Sequence, residues 1–375
     1  MTGIFTPRAF VDRKKIPWPL ILSALLLSLI GVYFIRSAHS LGLAAKQGQF
    51  LLLAVFAMVF VSFLDLQWLA SYSFYFYALG LLSLVMLPIF GVRINNAVRW
   101  YDLVKFRVQP SEFVKLALVL MLAEYFRFNK ELHKPGQMMM PFAMTVAPMM
   151  FIVRQPDLGT SLLFLPVFFG MAFIAGARVK HLVLILTCLV LLAVSVWFIP
   201  GLLKPYQRQR VEAYLHPDRY VRSPAGYNSR QAVIAITTGG LRGRGWGQGV
   251  LNRLRRIPER HTDFIFPVIA EEWGFIRTVG LILLYGILLL SIYHVASSAR
   301  DPYGRLVASG VMVLLATQGC LHMAISLRLA PITGLTLPLI SYGGSSLLST
   351  FLALGLVVNV AMNKPIIFAS QELKE

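Results

Sequence analysis

An all-α integral membrane protein with about ten transmembrane helices is the fold class this sequence predicts. Three observations predict it. Of 375 residues, 57% are apolar and only 14% charged, and the mean hydropathy is +0.69. Several apolar runs approach the length that crosses a bilayer core. The runs also follow one another too closely to leave room for a soluble domain, apart from a stretch near the middle. A single polytopic membrane domain over residues 1–375 is expected, with one large extracytoplasmic loop at 201–264 between helices 7 and 8.

Arg13-Lys14-Lys15 precedes the first apolar run and no small-residue cleavage site follows it, so an uncleaved first span is expected at 17–36. Further spans are expected at 48–64, 72–90, 109–127, 138–153, 159–177, 181–200, 265–294, 304–325 and 338–361. Pro141 and Pro148 mark the fifth as kinked or enclosed by other helices. Ten spans place both termini on one side. If that side is cytoplasmic it holds 13 Lys and Arg against 20 opposite, but 12 of those 20 lie in the loop 201–264. A loop of that length does not steer insertion, and without it 13 face 8. Cytoplasmic termini are favoured.

The net charge of +19 would suggest nucleic acid in a soluble protein. In this chain the fitting anions are lipid headgroups or a lipid-linked phosphate, and no nucleic-acid partner is expected. Cys188 and Cys320 fall inside apolar runs, where cysteine behaves as a small hydrophobe.

Five segments carry groups that chemistry could use. Pro258-Glu259-Arg260-His261-Thr262-Asp263-Phe264-Ile265-Phe266 ends the polar loop at the edge of a span, with Arg255 and Arg256 close by. Asp263 reads either as an interfacial helix cap or as a carboxylate base beside an anion site. Transfer of a sugar from a pyrophosphate needs that second arrangement, a base for the acceptor hydroxyl and cations for the departing phosphate. Glu112 and Lys115, after Gln109-Pro110-Ser111, share a helix face and read as a dipole-matched pair or as cavity lining. In Arg154-Gln155-Pro156-Asp157-Leu158-Gly159-Thr160-Ser161, Asp157 caps a helix or points into the same cavity. Gly239-Gly240-Leu241-Arg242-Gly243-Arg244-Gly245-Trp246-Gly247-Gln248-Gly249 reads as a flexible surface turn, with an anion cradle as the alternative. The uncharged run from Pro331 to Ser346, which includes Ser341 and Tyr342, reads as close helix packing or as a broken helix lining a cavity. No metal site is expected, since His261, His294 and His322 lack partners at ligand spacing.

In order and spacing these segments resemble the SEDS family of bacterial wall proteins, which includes RodA, FtsW and SpoVE, over nearly the whole chain. The resemblance rests on Gln109 to Lys115, Gln155 to Ser161, Gly226-Tyr227-Asn228 with Gly239 to Gly245, Pro258 to Glu272 and Thr333 to Ser346. It implies a ten-helix peptidoglycan glycosyltransferase of the bacterial cytoplasmic membrane that polymerises lipid II, with undecaprenyl-linked glycan and membrane lipids as its other ligands. It implies an essential acid at Asp263, a central cavity holding Glu112 and Lys115, and a class B penicillin-binding protein transpeptidase as partner. The wording Glu259-Arg260-His261-Thr262-Asp263 and the short N-terminus look more like RodA, the elongation branch concerned with rod shape. His322-Met323-Ala324 departs from the family's Asn-x-Gly, and Arg277 and Arg328 stand where small or apolar residues are usual.

The expected mechanism makes Asp263 the base for an acceptor 4-hydroxyl attacking the donor's anomeric carbon, with undecaprenyl pyrophosphate leaving. Arg210 is expected to stabilise the leaving group. No cofactor is required by this reading, though a divalent cation, Mg or Mn, would serve the same end. Ser111, Asp157, His261, Thr262, Ser341 and Tyr342 complete the expected cavity residues. Competing readings are a lipid II flippase, in which Asp263 gates a charged cavity, and a non-catalytic scaffold for the transpeptidase.

Overall fold

The computed structural model describes residues 16–94, 97–103, 106–129, 134–199, 204–216, 219–220, 223–254 and 256–362. Arg13, Lys14, Lys15 and Arg255 lie outside them. Helices α1 (Trp18–Ala38), α2 (Leu41–Ser62), the short α3 (Leu66–Ser71) and α4 (Ser73–Phe90) lead into a three-stranded antiparallel meander. Its strands are β1 (Val92–Ile94), β2 (Ala97–Leu103) and β3 (Phe106–Val108). There follow α5 (Pro110–Phe128), α6 (Met139–Arg154), α7 (Leu158–Leu162), α8 (Phe164–Ile174) and α9 (Val179–Phe198). The stretch expected to be a loop contains α10 (Pro205–Leu215), α11 (Pro224–Gly239) and α12 (Val250–Arg253). The chain closes with α13 (Ile265–Ser298), α14 (Pro302–Ser326) and α15 (Gly344–Met362).

Among the described residues, eight helices are long and apolar enough to cross a membrane. The charged α5 and the α7–α8 pair bring the crossings to the expected ten. Helix starts follow the sequence: Ser40, Asp65, Asp157, Ser223 and Asp301 each accept a backbone N–H of the first turn, and Pro110 opens α5. Pro141 and Pro148 are both buried in α6, which packs against α4, α5, α7 and α8. At the centre α15 packs on α2, α5, α13 and α14. A Cβ on Gly355 would lie 2.7 Å from Met58 O, so this glycine is what lets α15 approach the α2 backbone. By contrast α9 buries only Leu182 and otherwise presents its side chains outward.

Three sequence expectations change here. The meander was not expected; its short strands fill the connection between α4 and α5 and stand over the cavity described below. The last span begins at Gly344, not at 338, because residues 331–337 take no regular structure and the chain turns at 338–342, with Gly334 and Leu339 at positive φ.

The third concerns the glycine-rich loop, which is neither a flexible turn nor an anion cradle. It plugs a break in α13 at Gly274, whose φ of 75° and ψ of 179° are non-helical. Around the break, Arg244 N and Gly245 N donate to Glu271 O and Glu272 O, while Phe275 N and Ile276 N donate to Gly240 O and Leu241 O. The broken helix therefore keeps its backbone groups satisfied inside the protein, as a membrane requires. A side chain at Gly243, with φ of 83°, would run into Glu272 O.

Gly247 of the loop, and groups of α1 and α12 beside it, donate to the chain's own acids. Glu271 and Glu272 are fully buried. Glu271 Oε1 accepts from Leu251 N at 2.8 Å and Glu272 Oε2 from Gly247 N at 3.0 Å. Asn252 Nδ2 and Ser37 Oγ donate to Glu272 Oε1 at 2.8 and 2.6 Å.

Candidate active site

Every second connection of the bundle contributes to one cavity, so the cavity lies at one end of the molecule and the described ends, Ile16 and Met362, at the other. It has a volume of about 890 Å³. Leu43, Lys46 and Phe50 come from α2, Arg99, Trp100 and Arg107 from the meander, Arg210 from α10, and His261, Thr262 and Asp263 from the approach to α13. Residues Thr333 to Thr336 and Tyr342 to Gly344 close the opposite wall.

Asp263 does not cap α13. The residue at the cap is Phe264, with no side-chain hydrogen bond, and Asp263 N is held by Glu259 O at 3.0 Å. Its carboxylate faces the cavity, with the backbone of Gly334 alongside: a Cβ there would lie 3.4 Å from Asp263 Oδ2. Burial pushes its pKa up to about 6; the Thr262 hydroxyl opposes the rise, Glu259 and Asp157 add to it, and Arg210 opposes it again. A carboxylate in that range is ionised at neutral pH yet more basic than a surface aspartate. His261 is pushed the other way, chiefly by burial, with Glu259 opposing and His39 and Arg260 adding to the fall.

The loop before α13 is tied to the segment before α15. Ser341 Oγ donates to Thr262 O at 2.6 Å and accepts from Leu337 N at 2.8 Å, while Tyr342 N donates to His261 O at 2.9 Å. Ser341 is therefore a buried strut and does not line the cavity as expected; Tyr342, His261 and Thr262 do.

Glu112 lines the cavity, but Lys115 lies behind it, buried. Lys115 Nζ donates to Glu112 Oε1 and to Gln318 Oε1, each at 3.0 Å, and Ser349 Oγ donates to Glu112 Oε2 at 3.1 Å. Ser111, also expected on the cavity, is buried away from it at the start of α5, because the helix turns it to another face. Asp157 does both things the sequence allowed. It accepts from Thr160 N and Thr160 Oγ1 as a cap, and it faces the cavity with Arg99 Nη1 at 3.7 Å.

Sequence reasoning missed Lys46, Arg99, Arg107 and Gln318 on the cavity. The first three were counted only as outer-face charge, and Gln318 sat inconspicuously in an apolar span. Among the described residues no three His, Cys, Asp or Glu side chains group closely enough to hold a metal.

The family model for FtsW, RodA and SpoVE, described as cell cycle protein, matches residues 18–365. This chain belongs to that family. It is 33% identical over 356 residues to the peptidoglycan glycosyltransferase MrdB of Escherichia coli, covering 94% of each protein. It is 36% identical over 339 residues to the "Probable peptidoglycan glycosyltransferase FtsW" of Thiomicrospira cyclica, covering 88% of this chain and 82% of that one. Among solved structures it resembles a chain of a peptidoglycan synthase complex that coordinates polymerization and crosslinking, with a TM-score of 0.79, 33% identity, and 94% of this chain and 97% of that one covered. It also resembles the rod shape determining protein RodA of Thermus thermophilus, with a TM-score of 0.68, 29% identity, and 94% and 96% covered. The SEDS resemblance carried by the five motifs holds over the whole membrane domain.

Proposed function

We infer that this chain is a peptidoglycan glycosyltransferase that polymerises lipid II at the outer face of the bacterial cytoplasmic membrane, with both termini cytoplasmic. The observation that carries the reading is Asp263 on the wall of an 890 Å³ cavity that also presents Lys46, Arg99, Arg107 and Arg210. The names of its FtsW and MrdB relatives support the reaction class.

In the proposed step the acceptor's 4-hydroxyl oxygen bonds to the donor's anomeric carbon as its proton passes to the Asp263 carboxylate. The bond from that carbon to the pyrophosphate breaks, and undecaprenyl pyrophosphate leaves with the electron pair. The leaving group is already stable as an anion, so charge stabilisation matters more than protonation. Arg210 is assigned that role, because it lies on the cavity and its field opposes the rise in the Asp263 pKa. A magnesium or manganese ion would supply further charge stabilisation to the pyrophosphate. Phe50, Ile94, Trp100 and Phe106 give the mouth an apolar side suited to a polyprenyl chain.

A class B penicillin-binding protein is the proposed partner, supported by the likeness to a chain of a synthase complex. Assignment to elongation rests on the Glu259 to Asp263 wording and on the likeness to RodA.

The test is glycan formation from lipid II by the purified chain, alone and with its transpeptidase, in chelator and then with magnesium or manganese. Polymer from the parent and none from a folded Asp263→Asn variant support the reading. Normal polymer from Asp263→Asn removes the base. Movement of labelled lipid between leaflets without glycan favours a flippase, and neither activity, with binding of the transpeptidase retained, favours a scaffold.

A further inference from the structure

Gln318 of α14 belongs to none of the motifs, yet it bridges two parts of the site. A lysine ammonium can only donate, so Lys115 Nζ, at 3.0 Å, must meet the oxygen of the Gln318 amide. That contact fixes which way the amide faces. Its nitrogen then donates to Thr336 O at 3.0 Å and reaches Thr336 Oγ1 at 3.3 Å. One helical turn further along α14, His322 Nδ1 lies 2.8 Å from Leu335 O, and since a carbonyl only accepts, Nδ1 carries the proton. Two successive carbonyls of the cavity wall are thus held from one face of α14. The wall they hold includes Gly334, whose backbone lies against the Asp263 carboxylate.

We propose that Lys115 and Gln318 are positioning residues, which act through Thr336 to hold the Gly334 wall against Asp263, with His322 clamping the adjacent carbonyl. This rests on the transferase reading for its link to turnover. It also gives the buried Lys115 a task without substrate contact: the ammonium, itself neutralised by Glu112, sets the orientation of the amide. His322, the departure from the family's Asn-x-Gly, becomes part of the same clamp.

The test uses the full-length chain with lipid II. Gln318→Leu and Lys115→Met should each lower kcat by roughly ten- to a hundredfold with little change in KM, the scale expected for a slightly misplaced catalytic group. The double variant should be no slower than the slower single. Gln318→Glu preserves shape and the Lys115 contact but has no proton for Thr336 O, so it should be as slow as Gln318→Leu. With the wall loosened, water reaches Asp263 and the acid limb of the pH–rate profile should move to lower pH. Amide exchange over residues 333–337 should rise in all these variants, a readout independent of turnover. Losses that multiply in the double variant, or full activity in a folded Gln318→Glu protein, would overturn the proposal. A parent that makes no glycan while exchange rises as stated removes the transferase reading and leaves the clamp standing. Exchange unchanged in Gln318→Leu and Gln318→Glu removes the clamp.

Discussion

Asp263 and the pair Glu271–Glu272 lie within ten residues of each other at the start of α13, and their carboxylates have opposite fates. The two glutamates are fully buried: Glu272 takes Gly247 N of the glycine-rich loop, Asn252 Nδ2 and Ser37 Oγ, and Glu271 takes Leu251 N and Asn252 N of α12. Asp263 opens on the cavity, and burial raises its pKa. Donors on several sides fix a carboxylate within the fold, whereas one that lines a cavity keeps a face open to whatever binds there. The glutamates hold the loop in place, and Asp263 is left facing the cavity.

The largest test of this contrast is Asp263→Asn. It should lower polymerisation by about 10² to 10⁴-fold, the range of a lost general base. At neutral pH it should also make the protein more stable. The folded-state pKa of about 6 lies above the ordinary value of 3.8, so the native state binds the proton more tightly than the unfolded chain. The corresponding penalty is absent below about pH 4, grows as pH rises toward 6, and stays constant above. Removing the charge should therefore recover up to roughly 3 kcal/mol at pH 7 and little at pH 4, read from thermal melts. Equal or lower stability at pH 7 would show that Asp263 is not held at such a cost.

Glu272→Gln should give the opposite pattern. Loss of charge from hydrogen bonds with Gly247, Asn252 and Ser37 should destabilise the fold by about 1.5–3 kcal/mol, and activity should fall only as far as folded protein is lost. A selective fall in kcat in a fully folded variant would place the glutamates in the chemistry and dissolve the distinction. Gly243→Ala probes the same clasp through the backbone. Its φ of 83° and the contact with Glu272 O predict a loss of about 1–3 kcal/mol, measurable as a lower melting temperature.

Arg210→Ala sharpens the other side of the comparison. Because Arg210 lowers the Asp263 pKa, its removal should shift the acid limb of the pH–rate profile upward and slow turnover by roughly tenfold or more. A profile that does not move would separate Arg210 from Asp263. The smallest effect is expected for Ser341→Ala, which loses the strut to Thr262 O and Leu337 N at a cost of about 1–2 kcal/mol, with the pH profile unchanged.

Much of this molecule was legible along the chain. Among the described residues, eight of the apolar runs became helices long and apolar enough to cross, because a bilayer requires length and apolarity and both can be counted in sequence. Asp157 and Asp263 were recognisable as charges at span edges, and both reach the cavity. Ser111 and Ser341 were drawn into the candidate site because they neighbour its motifs, yet the helix at one and the tight turn at the other direct them into packing.

The glycine-rich loop shows where local reading stops. Its donors and its arginines suggested an external anion, and only its docking into the break at Gly274 reveals that its backbone donors go to carbonyls of α13 and to Glu272. Lys46, Arg99 and Arg107 carried no motif, and they meet because α2 and the meander converge over one cavity. Gln318 is the clearest case: it stands in an apolar span 203 residues from Lys115, and nothing near it in sequence marks it as a bridge. Composition and periodicity determined that this chain is a ten-helix membrane protein with acids and cations at one end. Which of those acids opens on the cavity, and which is spent on holding the fold, was decided only by tertiary structure, since the groups that enclose each carboxylate arrive from distant parts of the chain.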